Sequence, residues 1–307
     1  MRDALIPQPP SPKNLPPHTL ALSLPRRETS YWHDAVRRLS RNRLAVIGGV
    51  AVALIMVIAA GADFLAPYPY AKTNFAHAYE SPSAPHPMGT DPLGRDLLSR
   101  MIYGARISMI VGVGSQVLVI LIGVPVGAVA GYYGGTLDLC LMRAVDVMYA
   151  FPTLLFVILI MSALGAGLFN IFFAIGITGW VTLCRLTRGQ FLTLREQEFI
   201  MGARAAGATP RQVIFRHLLP NALAPIIVAV TFGVPRAIFT EAALSFIGVG
   251  INPPLPSWGG MVGEYQQYLR GYWYMATFPC IAIGATMLSF SFLGDGLRDA
   301  LDPTLKR

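Results

Sequence analysis

Residues 195–221 read REQEFIMGARAAGATPRQVIFRHLLPN, a run charged enough to live in water. It lies between segments too apolar to do so. Gln197 to Ala206 contains good helix formers, Gly207 is placed to end that helix, and Thr209-Pro210 can start another. The spacing predicts two short helices at an angle. Phe199, Ile200, Ala203 and Ala206 would form an apolar stripe on the first, continued by Val213, Ile214 and Leu218 on the second, with Pro220 marking the entry into the next apolar segment. Such a loop either packs on its own bundle or protrudes toward a soluble partner. The small residues Gly202, Ala203, Ala205 and Ala206 suit both, so periodicity alone leaves the choice open.

Outward from this loop the chain is oily. Of 307 residues, 54% are hydrophobic and 13% charged, against roughly 25% charged in an average soluble domain. The net charge of +8 would fit a phosphate-binding face, but the basic residues fall in blocks beside apolar runs. That pattern sets orientation in a bilayer and argues against nucleic-acid binding. Cys140, Cys184 and Cys280 are far apart and lack metal-ligand spacing, so they read as packing residues.

Counting apolar runs gives an all-α, polytopic membrane protein with six transmembrane helices and both termini cytosolic. Residues 1–40 form a cytosolic Pro/Arg-rich tail, extended or disordered over Met1–Pro25, and residues 41–307 the transmembrane domain. Six arginines (26, 27, 37, 38, 41 and 43) precede the first run and place the N-terminus inside. Leu44–Ala62 has nineteen residues without a charge, close to the roughly 20 that cross a hydrocarbon core. The other spans are expected at about 107–130, 147–164, 168–184, 222–240 and 272–294, with a tight hairpin at Gly165–Gly167. Pro225 and Pro235 are expected to bend the fifth. The count puts the opening loop, about 191–221, in the cytosol.

Three further features stand out. Thr90 or Asp91 can cap a helix with Pro92 in its first turn, and Asp91/Arg95 and Asp96/Arg100 are acid-first i, i+4 pairs. With Leu93, Leu97 and Met101 on one side, a short helix on the outer membrane surface is expected, either a platform for an outside partner or a plain connector. Gly123, Gly127 and Gly131 recur every four residues, the spacing for close helix packing in lipid. Arg236, near the outer third of span five, and Glu241, at its outer end, are ionisable residues and candidates for a translocation pathway.

Six strings now combine in one order: FLAPY (64–68), HPMGTDPLGRDLLSR (86–100), GYYGGTLD (131–138), TEAALSFIGVG (240–250), PSWG (256–259) and LGDGLRDALDP (293–303). In these the chain resembles the second, C-type permease of dipeptide, oligopeptide and nickel ABC importers. Residues 195–221 resemble the cytoplasmic loop of such permeases, whose pattern is Glu-Ala-Ala, three residues, Gly, and later a Leu-Pro segment. Ala203 takes the third position, Gly207 the glycine and HLLPN (217–221) the distal part, while Met201 replaces the glutamate and Gly202 the first alanine. A literal Glu-Ala-Ala at 241–243 is expected near the outer face and is not this motif.

The resemblance implies ATPase coupling through Glu198, Phe199, Met201, Gly202, Ala203, Arg204, Ala206, Gly207, Thr209 and Pro210. Any ion pair of the family glutamate cannot form from Met201, so docking would rest on shape, with Glu198 or Arg204 supplying charge. It also implies the inner cell membrane, a second homologous permease, two ATPase subunits that bind ATP and Mg, an extracytoplasmic binding protein, and short peptides as substrate. Nickel or another small solute is the alternative cargo. The chain has no G-x-x-x-x-G-K-[ST] loop, so no cofactor is expected on it. A secondary transporter or channel is the competing reading. An enzyme is not expected, since the five histidines lack HExxH spacing and no GxSxG occurs.

Overall fold

Proline, glycine and a few capping side chains divide this apolar chain into helices. The computed structural model describes residues 31–302. The tail expected over Met1–Pro25, Arg26, Arg27, Lys306 and Arg307 lie outside the described residues. Among the described residues the regular structure is helical, apart from an isolated antiparallel bridge between Thr90 and Asp96. In order come α1 (Tyr31–Arg41), α2 (Arg43–Ala60), the single turn α3 (Ala62–Leu65), α4 (Leu97–Tyr133), α5 (Gly135–Ala150), α6 (Thr153–Leu164) and α7 (Leu168–Arg195). After them come α8 (Glu198–Ala205), α9 (Pro210–Phe246), α10 (Trp258–Tyr265) and α11 (Tyr274–Leu301).

Helices α2, α4, α7, α9 and α11 are long and apolar enough to cross a membrane, and α5 with α6 makes a sixth span if that bent pair is one crossing. Here the expectation of a single helix over 147–164 is corrected. The chain breaks at Phe151-Pro152, and the two helices meet at 86°. Phe151 is extended (φ −82°, ψ 132°) because the proline ring excludes the helical conformation from the residue before it. At 1.5 Å per residue the 12-residue α6 is about 18 Å long, so α6 alone cannot span a core of about 30 Å. The hairpin at 165–167 is present, closed by the Asn170 amide donating to the carbonyls of Leu164 and Gly165 at 2.9 and 3.0 Å.

The separate surface helix before span two is also corrected. Gly94 sits at φ +67°, its amide donating to the Asp91 carbonyl at 2.9 Å, and this left-handed turn stops any helix from running through 92–101. The helix starts instead at Leu97, capped by the Asp96 carboxylate, which accepts from the Ser99 amide at 2.7 Å. From there α4 runs unbroken for 37 residues, so Leu97 and Met101 belong to the same helix as the span. At the other end, residues 31–41 are helical rather than tail, and the guanidinium of Arg38 donates to the Asp302 carbonyl at 3.3 Å.

Glycine sets how closely the helices approach. A Cβ at Gly123 would lie 2.8 Å from the Trp180 carbonyl oxygen, at Gly127 2.4 Å from that of Cys184, and at Gly131 2.6 Å from the Phe191 Cβ. The partner numbers rise with the glycine numbers, so α4 and α7 run parallel, joined by the return crossing of α5 and α6. Against α9 the order reverses, Gly112 facing Ile238 and Gly233 facing Gln116, so that pair is antiparallel. One buried cluster sits at each end of the bundle. Leu97, Met101, Trp258, Met261 and Tyr265 form one, and Phe191, Ile200, Val213 and Leu218 the other.

Candidate functional site: an exposed helical loop and a polar cavity

The loop between α7 and α9 is short, structured and exposed. Glu198 opens α8 and Ile200 buries its side chain completely against Phe191, Val213 and Leu218. The helix then ends in two reversed hydrogen bonds, Gly207 N to Arg204 O and Ala208 N to Ala203 O, both 3.0 Å. These are the 5→2 and 6→1 bonds of a Schellman motif, with Gly207 in the left-handed position at φ +85°. One residue later Thr209 caps α9 in a capping box. Its amide donates to Gln212 Oε1 at 2.8 Å, the Gln212 amide donates back to Thr209 Oγ1 at 3.4 Å, and Pro210 takes the first helical position.

The second helix is therefore not a separate short one, as expected from the sequence, but the start of α9. It passes through a π-turn at Val213–Leu218 and continues past Pro220 to Phe246. The expected single apolar stripe is corrected as well. Ile200, Val213 and Leu218 face the bundle, but Phe199 (46% exposed), Met201 (55%) and Phe215 (62%) face outward, with Ala206 also exposed and Ala203 half-buried. Of the charged residues, Arg204 lies 5.4 Å over the Tyr132 ring at the end of α4, and Glu196 is bound by Arg195 at 2.9 Å. Glu198 has no ion-pair partner among the described residues. Gly202 and Gly207 face open space.

The loop's footing is ionic. Arg188 on α7 makes two bonds to the Asp138 carboxylate on α5 at 2.5 and 2.6 Å, and Arg185 pairs with Asp146 at 2.6 Å while lying 4.2 Å over the Tyr149 ring.

A cavity of about 230 Å³ lies between α4, α6, α7 and α9. Arg236, Thr240, Thr178, Thr182, Thr153 and Gln116 supply its polar lining. Glu241 does not line it. That side chain is fully buried and accepts from Ser245 Oγ at 2.7 Å, while its Oε2 finds no hydrogen-bond partner among the described residues. Next to it Ala242 lies under Gly259, where a Cβ would come within 2.2 Å of the Ala242 Cα. The literal Glu-Ala-Ala thus seats α10 on α9.

Sequence reading missed the far end of the bundle. Asp91 is fully buried and accepts from the Leu93 and Arg95 amides, both 2.9 Å, from Arg95 Nε, and from the Tyr265 hydroxyl at 2.9 Å. Arg95 and Arg100 both reach Glu264, at 2.5 and 3.2 Å, and the expected Asp96/Arg100 pair is replaced by His86–Asp96 at 2.8 Å. Burial pushes the Tyr265 phenol well above its usual range, which keeps it a donor to Asp91. Only the Asp91/Arg95 spacing hinted at this knot, because Glu264 and Tyr265 lie far along the chain.

Comparison with known proteins shows the family of the chain. The family described as "Binding-protein-dependent transport system inner membrane component" matches residues 123–307, and "N-terminal TM domain of oligopeptide transport permease C" matches residues 30–82. The oligopeptide transport system permease protein OppC of Bacillus subtilis is 43% identical over 287 residues, covering 94% of each chain. The dipeptide permease DppC of the same organism is 44% identical, covering 93% of this chain and 89% of that protein, and the glutathione permease GsiD of Pectobacterium atrosepticum is 40% identical, covering 90% and 92%. In fold, a chain of the inward-facing MetNI methionine ABC transporter superposes with a TM-score of 0.56 at 19% identity, covering 67% of this chain and 98% of that one. The chain therefore belongs to the family of inner membrane components of binding-protein-dependent transport systems.

Proposed function

We propose that this chain forms half of the translocation pathway of an ATP-driven importer of short peptides. It acts with a second homologous permease, two cytosolic ATPase subunits that bind ATP and Mg, and an extracytoplasmic binding protein. The peptide assignment is supported by the oligopeptide, dipeptide and glutathione permeases among its relatives. Both termini and residues 196–212 lie in the cytosol on this reading, supported by the six arginines of the 185–216 segment against the single Arg270 of 248–271.

The loop carries the proposal. It is anchored on the bundle side by Ile200 and Val213 and exposes Phe199, Met201 and Gly202 on the other. With Met201 in place of a glutamate, docking into an ATPase groove rests on shape and apolar contact, and Glu198 is the acid free to add a charge. The Schellman turn and capping box join α8 rigidly to α9, so closing ATPases move α9 with the loop. The α4 glycines fix α7 against α4, giving the loop a stiff footing.

Purifying a tagged version of this chain from its native membrane should bring down one further permease and two ATPase subunits, and the reconstituted complex with its binding protein should take up a tripeptide only with ATP. Uptake by this chain alone, driven by an ion or proton gradient, would instead identify a secondary transporter. Uptake of nickel but no peptide by the complex would overturn the substrate assignment.

A further inference from the structure

Resting on the peptide-importer reading, we propose that the cavity around Arg236 is a subsite for the C-terminal carboxylate of the transported peptide. Arg236 sits ten residues before the end of α9 at Phe246, about 15 Å along the helix axis at 1.5 Å per residue, on the stretch of α9 that faces the cavity. No carboxylate lines the cavity, and no carboxylate pairs with Arg236 among the described residues. Arg236 is exposed, so its guanidinium is open to a ligand, and the partner that a cation without a carboxylate accepts is an anion.

The rest of the lining supplies donors. The hydroxyls of Thr153 and Thr182 make no hydrogen bond to the described chain, and Gln116 adds a side-chain amide held in room left by Gly233, where a Cβ would come within 2.1 Å of the Gln116 Oε1. Thr153 also begins α6, whose first-turn amides lack intrahelical acceptors and whose N-cap, Pro152, offers no side-chain cap. A carboxylate accepts from several donors at once, and its bond to a guanidinium is among the strongest available. A cavity of about 230 Å³ holds a terminal residue rather than a whole peptide, so this site reads the end of the chain and leaves its side chains unread.

The test uses the complete transporter in vesicles of neutral phosphatidylcholine, with the binding protein saturated in turn by tri-alanine and by tri-alanine C-terminal amide. Saturation removes the binding protein's own preference from the comparison. The wild type should move the acid faster than the amide. Arg236→Gln should slow the acid about tenfold or more and the amide little, while Arg236→Lys should keep the preference, since one charge-assisted bond is worth at least a factor of ten. An unchanged acid/amide ratio in Arg236→Gln overturns the subsite. So does an equal fall for both peptides in an intact complex, which would make Arg236 a packing or subunit contact. An effect of Arg236→Gln that appears only when anionic lipid is added, and is equal for acid and amide, would assign the guanidinium to a headgroup phosphate and also overturn the subsite. A wild type that moves neither peptide defeats the importer reading itself.

Discussion

Replacing Gly207 isolates the backbone of the loop from its packing. The residue lies at φ +85°, and a Cβ there would meet nothing within 4 Å in this chain. A side chain at this position therefore clashes with no neighbour but opposes the left-handed conformation, at about 1–2 kcal/mol for an ordinary residue. Loss of glycine's freedom in the unfolded chain returns about 0.4–1 kcal/mol, so Gly207→Ala should be destabilised by at most about 1.6 kcal/mol. Asn tolerates the left-handed region and should cost least, and the β-branched Val should cost most.

The strain is relieved by opening the turn, which breaks the bonds from Gly207 N and Ala208 N that hold α8 to its end. ATP-driven uptake in proteoliposomes should then fall in the order Gly207→Asn, Gly207→Ala, Gly207→Val, with Val losing tenfold or more, the size of a loss of about 1.4 kcal/mol. Basal ATPase activity and the amount of protein in the membrane should hold. Normal uptake by Gly207→Val would show that the turn does not transmit force. Equal loss for Asn and Val would locate the effect in a partner's surface pressed against position 207, since this chain leaves the space open.

Three other perturbations probe the frame. Gly127→Val forces a Cβ to 2.4 Å from the Cys184 carbonyl and 2.8 Å from the Thr187 Cβ, overpacking the α4–α7 seam by about 1–3 kcal/mol, and should lower the thermal midpoint of the purified complex. Asp91→Ala leaves Arg95 and Arg100 buried beside one shared acid, Glu264, and should cost about 3–5 kcal/mol, seen as new protease cleavage within residues 67–96. The Arg106 guanidinium, helped by the Tyr103 hydroxyl, holds the Asp63 carboxyl below its usual pKa. Its folded value is the lower one, so the tie is at full strength above the ordinary carboxylate range and is lost as pH falls through the depressed value. Hydrogen exchange at Ala62–Leu65 should show that loss of protection, and Asp63→Asn should abolish its pH dependence.

Local chemistry was legible in the sequence and distant pairing was not. Gly207, Thr209 and Pro210 announce a turn by residue type alone, and charge-free runs of about 20 residues announce helices across a bilayer. The break at Phe151-Pro152 was hidden by the apolar residues on both sides, although the proline carried the signal. Asp91 looked like a helix cap because Pro92 follows it, and like half of a helical ion pair because Arg95 stands four residues away. Its burial depends on Tyr265, 174 residues along the chain, for which no local pattern exists. Gly94 decided that region: a Cβ at its left-handed position would lie 1.8 Å from the Asn74 carbonyl.

The connectivity of α7, the loop and α9 links the two candidate sites mechanically. Thr178 and Thr182 on α7 form one side of the cavity, and Arg236 and Thr240 on α9 form another. The same two helices hold the loop between them, with no flexible linker, because Gln197 N bonds the Leu194 carbonyl at 3.1 Å and Thr209 caps α9 directly. A displacement of residues 196–212 must therefore move at least one cavity wall, or be absorbed at the π-turn of Val213–Leu218, where the helix ladder is locally altered. The buried side chains there, Val213 and Leu218, pack against Ile200 and Phe191 and resist that bending. Truncating Leu218 to Ala should soften the joint, so that ATP hydrolysis continues while uptake per ATP falls. Unchanged stoichiometry in Leu218→Ala would mean that force travels to the cavity through α7 alone.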